Sequence, residues 1–144
     1  MKYFVLGPTY IIRLDRGDRI MESLRSLAAL DQIGFAVLNG LGTVSEAEIG
    51  WFDREAGDYR TLRIDEACEI VSLHGTLTLL DGKPFPHCHI ALGDREFQVR
   101  GGHLREAVVA ETAEIVLTRY AEEIGRKKAG RKGPYLLDLK PEGD

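Results

Sequence analysis

Apolar residues recur at helical spacing in one stretch of this chain. Side chains three or four positions apart fall on one face of a helix, so this stretch predicts an amphipathic helix. Asp18 precedes the apolar stripe as a candidate N-cap, and Gly34 follows it as a residue suited to the turn past a helix end. The residues of the stripe are Ile20, Leu24, Leu27 and Ala28.

Elsewhere the apolar residues alternate with polar ones or form short runs, which is typical of β-strands. The first run is broken at Gly7-Pro8, and because proline cannot donate to a ladder we expect an edge strand or two short strands there. The runs cover residues 3–14, 35–38, 46–52, 59–64, 68–73, 76–80, 87–92, 97–99, 104–109 and 112–118.

Glycine marks two further features of the pattern. Gly40 and Gly42 alternate with Asn39 and Leu41, which predicts that another backbone or a ligand approaches this strand closely. Asp81-Gly82 separates two apolar runs and predicts a tight hairpin turn.

The order of these runs decides the fold class. Strands follow one another in series rather than alternating with helices, so we predict an α+β fold with a mainly antiparallel sheet. We expect about eight short strands and one principal amphipathic helix. A chain of 144 residues suits a single domain over 1–144, with a basic C-terminal tail from about residue 120 to residue 144.

Composition narrows the function classes. The net charge of −4 argues against polyanion binding by the whole surface, so a nucleic-acid contact would need a local basic patch. Cys68 and Cys88 lie in apolar runs and are expected to be buried free thiols. Neither a signal peptide nor a membrane-spanning run is evident, and we predict a cytoplasmic protein.

All four histidines lie between residues 73 and 104. Since strand side chains alternate between faces, His87 and His89 share one face and Cys88 takes the other. His103 follows Gly101-Gly102 on the next strand. If the connecting loop is Asp94-Arg95-Glu96, His89 lies opposite Gly101 and His87 lies opposite His103, so three imidazoles converge.

An even loop would send His103 to the other face unless the two glycines form a bulge. Three converging neutral imidazoles suit Zn²⁺ or another borderline divalent ion, with one coordination position open to water. The other interpretation is that the histidines are structural. For His74 we favour a structural role, because no partner is evident near it.

Other polar or aromatic residues carry weaker hypotheses. Glu69 and Glu114 lie within apolar runs. Each could act as a general base or accept a hydrogen bond from a ligand histidine. We favour the alternative that both lie on the polar face of a strand. Trp51 is expected in the core or at a subunit interface.

A basic stretch near the C-terminus is the candidate nucleic-acid contact. Its cations could dock on phosphates, or they could be a solvated helix end, which we favour. These residues are Arg126, Lys127, Lys128, Arg131 and Lys132.

Taken together, the motifs resemble the PPC domain (plants and prokaryotes conserved), which follows the AT-hook in plant nuclear-localised DNA-binding proteins and also occurs as a stand-alone prokaryotic chain. The similarity spans roughly Tyr10 to Leu117. The residues that carry it are Arg13-Leu-Asp-Arg-Gly-Asp with Leu24, Asn39-Gly-Leu-Gly, Leu62 to Leu73 with Glu69-Ile-Val-Ser-Leu, Gly75, Asp81-Gly-Lys-Pro-Phe, His87-Cys-His, Gly101-Gly-His-Leu and Thr112-Ala-Glu-Ile.

The resemblance implies an α+β fold with an antiparallel sheet, a homotrimer, and a metal, zinc first, on His87, His89 and His103. It also implies DNA binding, although the AT-hook core Arg-Gly-Arg-Pro is absent from this chain. We therefore carry three hypotheses: a homotrimeric DNA-binding or regulatory module with a structural metal, a metal-dependent enzyme acting on a small molecule, and a plain scaffold.

Overall fold

The computed structural model describes residues 1–139, so residues 140–144 of the predicted basic tail lie outside the described part of the chain. One helix and nine strands form in these residues. Their bounds are β1 Lys2–Leu6, β2 Thr9–Asp15, α1 Ile20–Leu30, β3 Ala36–Asp53, β4 Asp58–Ile64, β5 Cys68–Leu80, β6 Lys83–Gly93, β7 Val99–Arg119, β8 Arg126–Lys128 and β9 Tyr135–Leu137.

Seven of these strands form one antiparallel sheet in the order β1-β2-β7-β6-β5-β3-β4. Because β3 also pairs with β7, the strands β3, β5, β6 and β7 close into a ring. β8 and β9 form a separate antiparallel pair. This confirms the predicted α+β class with a mainly antiparallel sheet.

Two strands are much longer than the sequence pattern predicted. β3 has 18 residues and β7 has 21, where the pattern predicted several short runs. The β3–β7 register shifts between Gly42 and Val44, again between Val44 and Glu46, and between Glu48 and Ile49. Each shift interrupts the apolar alternation without ending the strand, so one long strand has the sequence pattern of several short ones.

The core lies inside the ring and beneath α1. Leu77, Leu92, Leu104 and Leu117 are completely buried, and Leu24 of the helix is buried with them. Both cysteines are buried free thiols as predicted, and burial raises the pKa of Cys88 to about 12. Within residues 1–139, every helix is too short or too polar to cross a bilayer.

The helix ends differ from the sequence prediction. Asp18 does not cap α1, because its carboxylate accepts hydrogen bonds from the Asp15 N–H and the N-terminal ammonium instead. Glu106 of β7 caps the helix from across the fold, accepting from the N–H groups of Met21 at 2.8 Å and Glu22 at 3.2 Å. A cap supplied by a distant strand has no signature in the local sequence.

The helix C-terminus is also shifted. Gln32, rather than Gly34, adopts the left-handed conformation, with φ 52°. The N–H of Ile33 then donates to the carbonyl of Ala28 at 2.9 Å, which is the bond of a Schellman motif.

Candidate metal centre

β6 and β7 place three histidines on the outer surface of the ring. Alternation along β6 turns His87 and His89 outward, while Cys88 between them faces the core. This confirms the predicted facing of the three residues.

The register of β6 with β7 differs from the prediction. His89 pairs with His103 and Ala91 pairs with Gly101, so the expected pairings of His89 with Gly101 and of His87 with His103 are wrong. The loop has five residues, from Asp94 to Gln98, rather than three. Its odd length keeps His103 on the outer face, which is why the three imidazoles still converge.

Asp94 builds this longer loop. Its carboxylate accepts hydrogen bonds from the N–H groups of Glu96 at 3.0 Å and Gln98 at 2.9 Å, and its own N–H donates to the Gln98 carbonyl. Phe97 therefore belongs to the turn and not to the returning strand. It is 92% exposed and has φ 61°.

The three rings form a tight cluster. The centroid of His103 lies 5.0 Å from that of His87 and 5.9 Å from that of His89, and the two β6 rings are 5.4 Å apart. One nitrogen from each ring lies within 4.8 Å of the other two. Zn–N bonds of about 2.0–2.1 Å bring ligand nitrogens to within roughly 3–4 Å of one another, so small ring rotations would close the cluster on an ion.

An aromatic ring fixes the third histidine. Tyr59 of β4 stacks on His103 with centroids 4.7 Å apart. Gly50, which pairs with His103 across the β3–β7 ladder, makes room for that ring, since a Cβ there would lie 2.9 Å from Tyr59 Cδ1. Neither Tyr59 nor Gly50 was predicted from the sequence, because the contact depends on β4 and β7 both pairing with β3, so that the Tyr59 ring reaches His103 across Gly50.

The environment keeps these imidazoles neutral. Burial lowers the pKa of His87 to about 4, with Arg126 and His89 acting in the same direction. Burial also lowers the pKa of His103 to about 4, helped by the two neighbouring histidines and by Arg105 and Arg126. The pKa of His89, which is more exposed, is lowered as well, by partial desolvation of its ring and by His74. Neutral imidazoles can bind a metal ion without first releasing a proton.

One unpaired atom tests whether a metal suits this cluster. The Nδ1 of His103 is buried and has no hydrogen-bond partner among the described residues. A buried polar atom without a hydrogen-bond partner costs free energy. When one nitrogen of an imidazole binds a metal ion, only the other nitrogen still needs a hydrogen-bond partner. The donor set of three neutral imidazoles fits zinc or a similar divalent ion.

His74 lies closer to the cluster than the sequence indicated. It pairs with His89 across the β5–β6 ladder, with ring centroids 6.3 Å apart, and its Nδ1 lies 3.4 Å from the hydroxyl of Ser72. The expectation that no partner lies near it is therefore wrong. His74 is exposed and is not part of the three-residue group that can share one ion.

Three other sequence candidates are not among the residues that can share one ion. Glu69 and Glu114 are both exposed on strands, as the favoured polar-face interpretation requires. Trp51 is 66% exposed, so its expected place in the core is wrong, and its place at a subunit interface stays a prediction.

The histidines line an open pocket of about 1690 Å³. Seven Arg or Lys side chains line it against three carboxylates, although the whole chain carries a net charge of −4. The pocket is thus a local cationic region on an acidic protein.

The basic stretch contributes to this pocket but does not act as one surface. β8 is a strand, so the favoured interpretation of a helix end is wrong. Arg126 is half-buried and its guanidinium donates to the hydroxyls of Thr78 at 2.8 Å and Thr76 at 3.1 Å. Lys127 pairs with Asp138, whereas Lys128 and Lys132 line the pocket and Arg131 is exposed.

Comparison with known proteins identifies the family. Residues 1–121 match the Plants and Prokaryotes Conserved (PCC) domain, the PPC domain of the sequence resemblance. The chain belongs to this family.

Two solved structures share the fold of this PCC-domain chain. A candidate DNA-binding protein from Bacteroides thetaiotaomicron is 25% identical, with a TM-score of 0.91 over 95% of this chain and 96% of the other. A metal-containing protein from Archaeoglobus fulgidus is 32% identical, with a TM-score of 0.84 over 95% and 96%.

A curated relative is much longer. The Bifunctional protein GlmU of Synechococcus sp. (strain JA-2-3B'a(2-13)) is 37% identical over 136 residues, which are 92% of this chain. The chain spans about 20% of that relative's length.

The lowered histidine pKa values predict how the metal-free PCC domain responds to acid. The unfolded chain protonates His87 and His103 near their ordinary pKa of about 6.5, whereas the folded chain does so near 4. Between these values the unfolded state binds more protons, so the free energy of unfolding falls as the pH falls.

Thermal unfolding of chelator-treated protein from pH 7 to pH 4.5 measures this effect. We expect the melting temperature to decrease as the pH is lowered from about 6.5. The decrease should be less steep in a His103→Gln variant. Equal slopes in the two proteins would show that His103 is not responsible.

Proposed function

We propose that this PCC-domain chain is a metal-binding protein in which His87, His89 and His103 hold a divalent cation at the wall of an open pocket. Zinc is the cation that we propose ahead of other divalent ions. The observation that carries the proposal is the convergence of three neutral imidazoles, one of which has a buried and unpartnered nitrogen. The metal-containing relative from Archaeoglobus fulgidus supports it.

Three protein ligands leave one coordination position for water or a ligand. A divalent ion in such a site lowers the pKa of a bound water and polarises a carbonyl or phosphoryl oxygen. The residues of this chain would orient a ligand through Tyr59 and the cationic wall. Such a centre could belong to a metal-dependent enzyme. It could equally belong to a regulatory module that senses a small molecule.

We further propose the homotrimer that the family resemblance implies. Phe4, Ile11 and Val116 lie directly opposite one another on β1, β2 and β7, so they share one face, and Phe4 is 65% exposed. Val37 and Leu41 of β3 extend the same face and are also exposed. An exposed apolar face of this kind favours burial against other copies of the chain.

Elemental analysis combined with the mass of the assembly tests both proposals. We expect one zinc per chain and an assembly of three chains of 16.0 kDa, about 48 kDa, by light scattering. Protein purified without chelator and reloaded with zinc that still holds none would overturn the metal proposal. A mass of 16 kDa at micromolar concentration would overturn the trimer.

DNA binding is the second candidate function. The Bacteroides thetaiotaomicron neighbour and the cationic side chains Lys128, Arg131 and Lys132 favour it. A mobility-shift assay at about 0.15 M salt with micromolar protein tests it, because non-specific DNA binders already associate under these conditions. Absence of a shift, or a shift that a Lys128→Gln/Arg131→Gln/Lys132→Gln variant retains in full, would count against this candidate.

A further inference from the structure

The unusual cation of the pocket is Arg126. Its guanidinium donates to the hydroxyls of Thr78 and Thr76 and to the carbonyl of Tyr135, all of them uncharged acceptors. Within residues 1–139, no Asp or Glu oxygen lies within 4.0 Å of it. Removing an arginine from water without a counter-charge costs free energy, and burial accordingly lowers the pKa of Arg126.

Hydrogen bonds and a contact with an aromatic ring hold the Arg126 side chain in one position. All three of its nitrogen groups are engaged, and its charge lies over the ring of Phe85 at 5.5 Å from the centroid. Thr76 and Thr78 pair with His87 and Phe85 across the β5–β6 ladder, so all four point to the outer face that carries the histidines. The guanidinium is thus bonded to the cross-strand partner of His87, and both Arg126 and His87 line the pocket.

Arg105 is a second cation in the pocket wall, close to His103 in the chain. Arg105 follows His103 by two residues on β7, and both side chains line the pocket. Its nearest carboxylate, that of Glu48, is 3.8 Å away and exposed. Both arginines line the pocket together with the three neutral imidazoles, so the pocket wall attracts anions.

We propose that the pocket binds a small carboxylate or phosphate whose anionic group is held by Arg126 while a second oxygen reaches the open position of the three-histidine centre. This inference rests on the proposed metal function and adds the chemical class of the ligand. A guanidinium recognises both oxyanions through parallel N–H···O bonds, which a lysine cannot reproduce.

Titration calorimetry at constant ionic strength tests the inference on zinc-loaded protein. The probes are lactate, its uncharged analogue lactamide, and inorganic phosphate. We expect lactate or phosphate to bind, lactamide to bind at least tenfold more weakly than lactate, and Arg126→Gln to lose at least tenfold in affinity for the anion that binds, since hydrogen bonds to charged groups have effects of this size. The Arg126→Lys variant should recover part of the affinity because it keeps the charge.

Lys127→Gln is the matched control, since Lys127 is the next residue on β8, pairs with Asp138 and does not line the pocket. Each variant is first checked for zinc content and cooperative unfolding. Wild-type affinity in a folded, zinc-loaded Arg126→Gln variant, binding of lactate that lactamide equals, or no binding of any probe would overturn the inference. If wild-type protein takes up no zinc, the metal proposal fails separately. The same titration on metal-free protein then tests the Arg126 contact by itself, which stands if binding of the anion depends on Arg126 and falls otherwise.

Discussion

Replacing His89 with alanine should lower the affinity for zinc by at least about 100-fold, because one of three protein ligands is lost and water is a poorer donor. His89 is exposed, so the substitution removes little packing and the protein should still fold. Competition against a chromophoric chelator measures the affinity, and elemental analysis gives the zinc remaining per chain.

His74→Ala is the matched control. His74 lies directly opposite His89 on the neighbouring strand, is equally a histidine on the outer face, and is exposed. It is not part of the group that can share one ion, so this variant should keep one zinc per chain. Full zinc affinity in His89→Ala, or an equal loss in both variants, would contradict the assignment of His87, His89 and His103 as the ligands.

Replacing Gly42 with alanine should destabilise the protein by about 3 kcal/mol or more. Gly42 has φ 139°, and a Cβ there would lie 2.3 Å from the carbonyl oxygen of Thr112 and 2.6 Å from the Cα of Ala113. Both atoms belong to the backbone of β7, so neither can move aside without disturbing the closed ring. Urea unfolding followed by circular dichroism measures the loss.

Gly82→Ala separates the two causes. Gly82 also has a positive φ, 73°, but no atom lies within 4 Å of the added Cβ. This variant should lose only about 1 kcal/mol, which is the cost of backbone strain without a clash. An equal loss in the two variants would mean that the approach of β7 to Gly42 does not contribute.

The sequence predicted those features that depend on local chemistry and strand periodicity. The Asp81-Gly82 turn joins β5 to β6 as expected, with Leu80 paired to Lys83. The Gly40–Gly42 pattern correctly indicated that a backbone approaches closely, since the Glu114 carbonyl would lie 2.8 Å from a Cβ at Gly40. Alternation along β6 correctly placed His87 and His89 on one face.

The sequence could not predict features that depend on distant elements. The loop that begins at Asp94 is two residues longer than predicted, and no turn motif in the sequence indicates this length. The predicted pairing partner of His89 was therefore wrong, although its predicted face was right. Glu106 caps a helix 84 or 85 positions away along the chain. In the sequence, Arg126 does not differ from the other basic residues near the C-terminus. Only the packing of β8 against β5 brings it into the pocket with the histidines.

Cys88 has a consequence for the chemistry of the site. It lies between two of the proposed ligands in sequence, yet its sulfur is completely buried on the opposite side of the strand and its pKa is raised to about 12. Oxidants and electrophiles react with accessible thiolates, and this thiol is neither accessible nor ionised. We therefore expect Cys88 to stay unmodified in the folded protein under oxidising as well as reducing conditions, and to leave the neighbouring imidazoles undisturbed.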